Sequence, residues 1–248
     1  LPAASWLEKL ACLLIKDDGS TAEEMKLLYF DARMLKTPPI AVAQLFNEVQ
    51  RMGGIAMGNF QRAMECFNEW DAKKSEELAR NEDVLDYLNR EITDSLVEVK
   101  GLDLSEKDTK LVGSMFHVVN DMERIGDQAE DIAEIIGFLN GRSGEECAFV
   151  GHMARAAISM VTGSVDAFVR QDVTRAHQVI AKDDVVDEDF RKVKATLIDW
   201  IAQRPDDGEY ALDLLMIAKY FERIGDHATN IAGWVVFAVT GAHEGEEN

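Results

Sequence analysis

The chain has 248 residues, of which 47% are hydrophobic and only 4 are proline. This length and composition favour an all-helical protein with one large domain or two small ones. Its 46 acidic and 26 basic residues give a formal charge of −20, which argues against nucleic acid or an anionic membrane surface as the main partner. The charge suits cations or basic partners, and it also suits a surface that is merely solvated.

Residues 1–36 differ from the rest and are predicted to form a separate N-terminal segment. The apolar stretch from Trp6 to Ile15 is too short for the roughly 20 residues of a membrane span. It is apolar enough to lie on a membrane surface or on a helical bundle, and both alternatives stay open.

Three long helices are predicted between residues 37 and 140. Thr37-Pro38-Pro39 is a typical helix start, with threonine as N-cap and proline in the first turn. A second helix is predicted from about Asn81 to Val99, and Ser105 is expected to cap the third, with Asp108 three residues on. Apolar residues recur at alternating spacings of three and four in each helix, which predicts one buried face. The inward stripe of the first helix is Val42, Leu45, Val49, Met52, Ala56, Phe60, Ala63 and Phe67.

The second half repeats this plan after the Asn140–Gly144 stretch, which is the clearest boundary in the chain. One helix is predicted over about Glu145–Arg170 and another over about Val173–Gln203. A last helix follows the turn at 204–208. The acidic residues 241–248 are predicted to be a disordered tail.

The predicted fold is therefore all-α, with two tandem, pseudo-symmetric three-helix bundles of antiparallel helices, similar to spectrin repeats. The domain ranges are an N-terminal membrane-proximal or linker segment at 1–36, a first repeat at 37–140, a second repeat at 141–240 and the tail at 241–248.

A duplicated motif supports the repeat. The sequence E-R-I-G-D begins at Glu123 and occurs again from Glu222, and 222 − 123 = 99. Both copies lie in the third helix of their half, which indicates a duplicated unit of about 100 residues.

Each repeat also carries two pairs of acids spaced four residues apart. Residues at this spacing point the same way from a helix, one turn apart. If the second and third helices lie side by side, four carboxylates converge in each half. The candidate ligands are Glu82, Asp86, Glu123 and Asp127 in the first repeat, and Asp183, Asp187, Glu222 and Asp226 in the second.

A single pair of this kind is usually only a solvated helix face, because acids off the apolar stripe face water. The same register in both halves favours a functional site instead. Carboxylates packed this densely repel each other, so they must take up protons or cations. Oxygen-rich sites suit hard or borderline cations, among them magnesium, calcium, manganese, iron and zinc.

Enzymatic activity is not expected. Dimetal oxidase centres in helical bundles use Glu-x-x-His pairs, and none of the five histidines follows an acid at that spacing. The sequence also has no Ser/His or Cys/His arrangement typical of a nucleophilic hydrolase.

Two three-helix repeats with paired acids and a doubled E-R-I-G-D-x-A resemble the PhoU family of phosphate-transport regulators, over roughly Ile40 to Val239. The stretch from Phe30 to Ala41 resembles the join that leads into the PhoU-like tail of bacterial sodium/phosphate cotransporter-type proteins. The resemblance implies that the eight acids ligate iron or zinc, with magnesium, calcium, manganese or nickel as alternatives. It also implies a regulatory domain that tunes phosphate uptake.

On that resemblance, the expected partner is the membrane transport domain of the same or another protein, with a homodimer as an open question and no nucleic acid. The expected location is the inner face of the cell membrane, as the cytoplasmic part of a membrane protein. Two alternatives stay open, a free-standing PhoU-like adaptor of an ABC phosphate transporter and its sensor kinase, and a purely structural bundle. The copies differ at Asp131 and Gln128, where the second has Asn230 and His227, so the two sites are expected to differ in occupancy or metal.

Overall fold

The computed structural model describes residues 25–139 and 148–242, and within these ranges all regular structure is helical. The all-α prediction is confirmed. The predictions for residues 1–24, for the 140–147 connection and for the last six residues lie outside the described residues. The α-helices are α1 (Pro38–Asn68), α2 (Ala72–Lys100), α3 (Glu106–Phe138), α4 (Ala148–Arg170), α5 (Val173–Ile180), α6 (Asp183–Gln203) and α7 (Gly208–Thr240). Short 3₁₀ helices span Ala32–Lys36 and Pro205–Asp207.

The helix starts follow from local hydrogen bonding. The Ser105 hydroxyl accepts from the amide of Asp108 at 3.1 Å, so the predicted cap of α3 is confirmed. Helix α2 begins at Ala72, well before the predicted Asn81, because the Asp71 carboxylate accepts from the amide of Lys73. Thr37 precedes α1 as predicted, but its side chain makes no capping hydrogen bond and the prolines of the first turn define that start.

The helix predicted over Val173–Gln203 is broken, and that prediction was wrong. The α-helical hydrogen bonding is interrupted at a turn at Ala181–Lys182, between α5 and α6, although both residues keep right-handed backbone angles. Asp183 and Asp184 form the first turn of α6, where negative side chains favour a helix N-terminus because they face the positive end of its dipole. The first acid of the predicted α6 pair therefore lies at the very start of a helix, not in its middle.

The apolar stripes form the core as predicted. Every residue of the α1 stripe from Val42 to Phe67 is at most 2% exposed. Helix α7 has a similar apolar stripe, and its residues Leu214, Phe221, Ala228 and Val235 are fully buried. The core is one continuous cluster to which α1–α7 all contribute. Burial of this apolar surface is the main stabilising contribution to the fold.

Helices α3 and α7 lie in the middle of the arrangement. Helix α3 packs on α1 and α2, while α7 packs on α4, α5 and α6. The two also pack extensively on each other, and α1 contacts α4. The two units, α1–α3 and α4–α7, thus share one core, with the last helix of each unit forming the seam between them. The acid pairs of α3 and α7 are carried on these two central helices.

The segment before α1 is joined to the first unit. The carboxylate of Glu48, fully buried in α1, accepts from the backbone amides of Tyr29 and Phe30. Arg51, one turn further on, donates to the carbonyl of Lys26 at 2.9 Å and pairs with Glu48 at 3.4 Å. Residues 26–30 therefore pack on α1 through a buried ion pair rather than standing apart from the bundle.

Candidate metal centre

Helices α2 and α3 bring three of the predicted acids together. One oxygen each of Glu82, Asp86 and Asp127 lies within 4.8 Å of the others. Glu123, one turn before Asp127 on the same helix, is not part of this group of three oxygens but lies close enough for its charge to respond to Asp86 and Asp127. Helices α2 and α3 thus bring their acids together as predicted, with Glu123 at the edge of the group.

The electrostatics of this first cluster are those of crowded, partly desolvated carboxylates. Burial, followed by repulsion from Asp86, Glu130 and Asp127, raises the pKa of Glu82 from 4.5 to about 8. Burial also raises the pKa of Asp127. Burial and then the charge of Asp127 raise the pKa of Glu123. Without a cation, Glu82 in the folded cluster keeps at neutral pH a proton that an isolated carboxylic acid would lose.

Gly126 lets α2 approach α3 at this point. A methyl group on Gly126 would lie 2.3 Å from Cδ1 of Leu85, which is fully buried. Leu85 precedes Asp86, and Gly126 precedes Asp127, so the close approach sits directly beside the cluster. The glycine serves helix packing, and that packing places the acids of the two helices next to each other.

Arg124 is the basic group at the edge of the first cluster. Its guanidinium lies 3.0 Å from the carboxylate of Asp127 and 3.5 Å from that of Glu123. Arg124 is itself mostly exposed, so the pairs are screened by water and contribute little to stability. They leave the cluster with more carboxylates than cationic side chains.

The four predicted acids of the second half also interact, but more loosely. Burial, then repulsion from Glu222, Asp183 and Asp187, raises the pKa of Asp226 from 3.8 to about 6, with Lys219 opposing. Burial raises the pKa of Asp183, although the Thr229 hydroxyl donates to it at 3.2 Å. Within the described residues, the first cluster alone brings oxygens from three different acids within 4.8 Å of one another.

The repeat register explains the difference between the clusters. With the offset of 99, Lys219 corresponds to Asn120, and Thr229 corresponds to Glu130. Lys219 forms an ion pair with the carboxylate of Glu222, so a lysine side chain partly neutralises the second cluster. The first cluster has no lysine there and gains a carboxylate at Glu130. Sequence reasoning overlooked Lys219 and Thr229, although superposing the two E-R-I-G-D copies would have found them.

The seam between α3 and α7 carries a polar contact between equivalent residues. The Nε2 atom of His227 lies 3.2 Å from the amide nitrogen of Gln128, and 227 − 128 = 99. Its Nδ1 atom lies 2.8 Å from the carboxylate of Asp121. Asn230 also donates to Asp121, at 3.4 Å. Close to the seam, the rings of His117 and Trp234 stack 3.8 Å apart. These contacts fix α3 and α7 as antiparallel neighbours, with Gln128 and His227 next to the pseudo-twofold axis.

The chemistry of the first cluster fits a multivalent cation. Carboxylate oxygens are ligands for calcium, magnesium, manganese, iron and zinc. A cation would offset the burial and the mutual repulsion that raise the pKa of Glu82. The buried packing of Leu85 on Gly126 holds the acids of α2 and α3 in place. The residues that would hold it are Glu82, Asp86 and Asp127, with Glu123 and Glu130 next to them.

Fold and site together define a class, a helical protein of two pseudo-symmetric units with an acid cluster between the last two helices of each unit. A family model described as the PhoU domain matches residues 49–136 and 150–235, which is more than half of the chain. The chain belongs to the PhoU family.

Individual relatives agree. The chain is 27% identical, over 80% of its length and 92% of the other's, to a phosphate-specific transport system accessory protein PhoU homologue of Clostridium acetobutylicum. It is 30% identical to the homologue of Synechocystis, over 82% of this chain and 92% of that one. The crystal structure of PhoU from Pseudomonas aeruginosa superposes with a TM-score of 0.77 at 27% identity, covering 81% of this chain and 97% of that one.

Among the described residues, no helix combines the length and apolar character needed to cross a bilayer.

Proposed function

We propose that the protein is an accessory regulator of phosphate transport whose action depends on multivalent cations bound at its carboxylate clusters. The observation that carries the cation part is the convergence of Glu82 and Asp86 of α2 with Asp127 of α3. Iron and zinc are the cations we favour, because the resemblance to the PhoU family implies them and both accept carboxylate ligands.

The relatives favour one of the two regulatory forms that the sequence left open. Those described above carry the name of an accessory protein of phosphate-specific transport. We therefore favour the adaptor form, in which the protein acts in the cytoplasm on a component of a transport system. The cotransporter-tail form, with its anchoring at the membrane, has no support from these relatives.

A catalytic role is not proposed. In the described part of the chain, the charged clusters combine carboxylates with lysine and arginine. An activated nucleophile beside a general base does not occur in them, and such a pair is the usual signature of covalent catalysis.

Cation binding is tested directly by elemental analysis of the purified protein. The native protein is compared with Glu82→Gln/Asp127→Asn, which removes two ligands but keeps their shape, and with Asp103→Asn, an exposed acid outside both clusters. We expect the double variant to lose the metal of the first cluster and the control to retain it. A metal content equal in all three proteins overturns the proposed site.

Regulation is tested in a bacterium from which its own PhoU gene has been deleted. The native protein should restore control of phosphate uptake, measured with radiolabelled phosphate at high and low external concentration. A variant with Glu123, Asp127, Glu222 and Asp226 all changed to alanine should fold, by circular dichroism, but fail to restore control. If the folded, metal-free variant controls uptake like the native protein, the clusters do not carry the signal.

A further inference from the structure

We propose that the two carboxylate clusters are coupled through the seam contact between Gln128 and His227, so that filling one cluster raises the affinity of the other. This inference rests on the proposed function, because it requires that cations bind at both clusters. It adds a regulatory relation between the sites, in which the protein responds to cation concentration more steeply than two independent sites would.

The first step is the position of the contact. Gln128 follows Asp127 on α3, and His227 follows Asp226 on α7. Each member of the contact is therefore the next residue after a candidate ligand, on the same helical turn. Because a helix moves as a stiff unit over one turn, a shift of Asp127 carries Gln128 with it, and a shift of Asp226 carries His227.

The second step is the directionality of the hydrogen bonds. An ionised carboxylate only accepts hydrogen bonds, so Nδ1 of a neutral His227 donates to Asp121, at 2.8 Å. Its Nε2 atom is then an acceptor, and the Gln128 amide donates to it at 3.2 Å. Asp121, His227 and Gln128 thus form a chain that begins and ends on α3 and passes through α7.

The third step is the burial of this chain. Gln128 is 2% exposed, and its Oε1 atom has no hydrogen-bond partner among the described residues. In this part of the molecule, the contact with His227 is what holds the Gln128 amide. A buried polar group that loses its partner is costly, so the seam prefers the one register of α3 against α7 in which the contact forms.

Coupling follows from this preference. A cation at the second cluster draws Asp226 towards Asp183 of α6 and restricts α7, and through His227 it restricts α3. Asp127 is then already partly ordered, so a cation that binds the first cluster pays a smaller conformational entropy cost. Such shared ordering gives positive cooperativity. Direct repulsion between two bound cations would instead lower the affinity of the second one to bind. The sign of the measured coupling therefore separates the two effects.

The test is a cycle of four proteins titrated with Zn²⁺ by calorimetry, in which the affinity of the first cluster is measured. The second cluster is either intact or silenced by Asp183→Asn/Asp226→Asn, and residue 128 is either glutamine or, in Gln128→Leu, an apolar side chain of similar size. Silencing the second cluster also removes negative charge, which changes the electrostatic potential at the first cluster. This change is the same with glutamine or leucine at residue 128, so it cancels in the cycle.

With glutamine at 128, we expect silencing to lower the affinity of the first cluster by about fivefold or more, at the lower end of typical coupling. With leucine at 128, this drop should vanish. Asn120→Leu, which replaces an exposed amide bonded within α3, should keep the drop. Asp121→Ala breaks the same chain at its other end, and it replaces Gln128→Leu if circular dichroism shows that variant unfolded.

An equal drop in both backgrounds, or no drop in the native background, overturns the coupling. Absence of Zn²⁺ from both clusters of the native protein overturns the proposed function and this inference with it. That result is distinct from Zn²⁺ bound at two independent sites, which removes only the coupling.

Discussion

Leu85 of α2 occupies the space that a side chain at Gly126 of α3 would need, with a distance of only 2.3 Å from its Cδ1 atom to a methyl group built there. The equivalent glycine of the second half, Gly225, has its nearest neighbours in Met160 and Val186, both at an ordinary 3.6 Å. The same motif residue is therefore required by packing in one repeat and is free to change in the other.

This difference predicts opposite effects of one substitution. Gly126→Ala should lower the free energy of unfolding by about 1–3 kcal/mol, because Leu85 is buried and must move within a packed core. Gly225→Ala should be neutral or stabilising by up to about 1 kcal/mol, since alanine favours a helix over glycine. Urea denaturation of both variants measures this, and equal losses would show that the two helix pairs are packed alike.

The helices and their buried faces were predictable from the sequence, because the spacing of apolar residues determines which side of a helix is covered. The stripe from Val42 to Phe67 illustrates this, as does the cap at Ser105. The break at Ala181–Lys182 was not predicted, since the apolar spacing continues across it from Val179 to Val186 and Val193. The new helix start is favoured by the charges of Asp183 and Asp184, and the spacing of apolar residues carries no information about such charges.

The acid pairs were predictable as pairs, but their distances were not. Their helical spacing predicts that Glu82 and Asp86 share a face. Their convergence with Asp127 depends on how closely α2 approaches α3. That approach is set by Gly126 against Leu85, a contact between residues 41 positions apart (126 − 85). The seam contact of Gln128 with His227 is likewise a product of tertiary packing.

The raised pKa of Glu82 predicts that the metal-free protein loses stability as pH rises. The folded state keeps a proton on Glu82 up to a pKa of about 8, whereas the unfolded chain releases it near 4.5. Between these values the folded state binds more protons than the unfolded state, so the free energy of unfolding falls with increasing pH. Asp226 adds to this fall between about 3.8 and 6.

The measurement is urea denaturation between pH 5 and pH 9 in the presence of a chelator, all in one buffer system of constant ionic strength. Other groups titrate in this range, so the informative quantity is the difference between the native protein and Glu82→Gln. The variant should have a flatter dependence between pH 5 and 8. Identical slopes would mean that Glu82 is ionised in the folded protein.

The buried ion pair of Glu48 and Arg51 predicts that the segment before α1 contributes to stability. Removing residues 1–36 would leave the Glu48 carboxylate without the amides of Tyr29 and Phe30. We expect a loss of roughly 1–3 kcal/mol in the free energy of unfolding, the usual cost of a buried polar group that loses its partners. The prediction that residues 1–36 form a separate segment does not include this cost, because it did not foresee the contacts with Glu48.

The matched control for that deletion removes residues 1–24 only and so keeps the contacts of residues 26–30 with α1. A second variant, Glu48→Gln in the full chain, removes the charge and leaves the shape. If both deletions unfold at the same urea concentration, the contacts to Glu48 do not stabilise the protein.

The last prediction concerns the unequal clusters, whose difference lies in two register positions. Lys219 neutralises Glu222 in the second half where the first half has Asn120, and Thr229 stands where the first half has Glu130. A metal ion at the second cluster must displace the Lys219 ammonium group, and it has one carboxylate fewer nearby than at the first cluster. We therefore expect the second cluster to bind Zn²⁺ more weakly. Lys219→Asn/Thr229→Glu should bring its affinity up towards that of the first, and Asn120→Lys/Glu130→Thr should lower the first towards the second. Calorimetric titration of the two exchanged proteins and the native one measures both shifts. If the exchanges leave both affinities unchanged, the unequal clusters owe their difference to the closer approach of α2 to α3 and not to these four side chains.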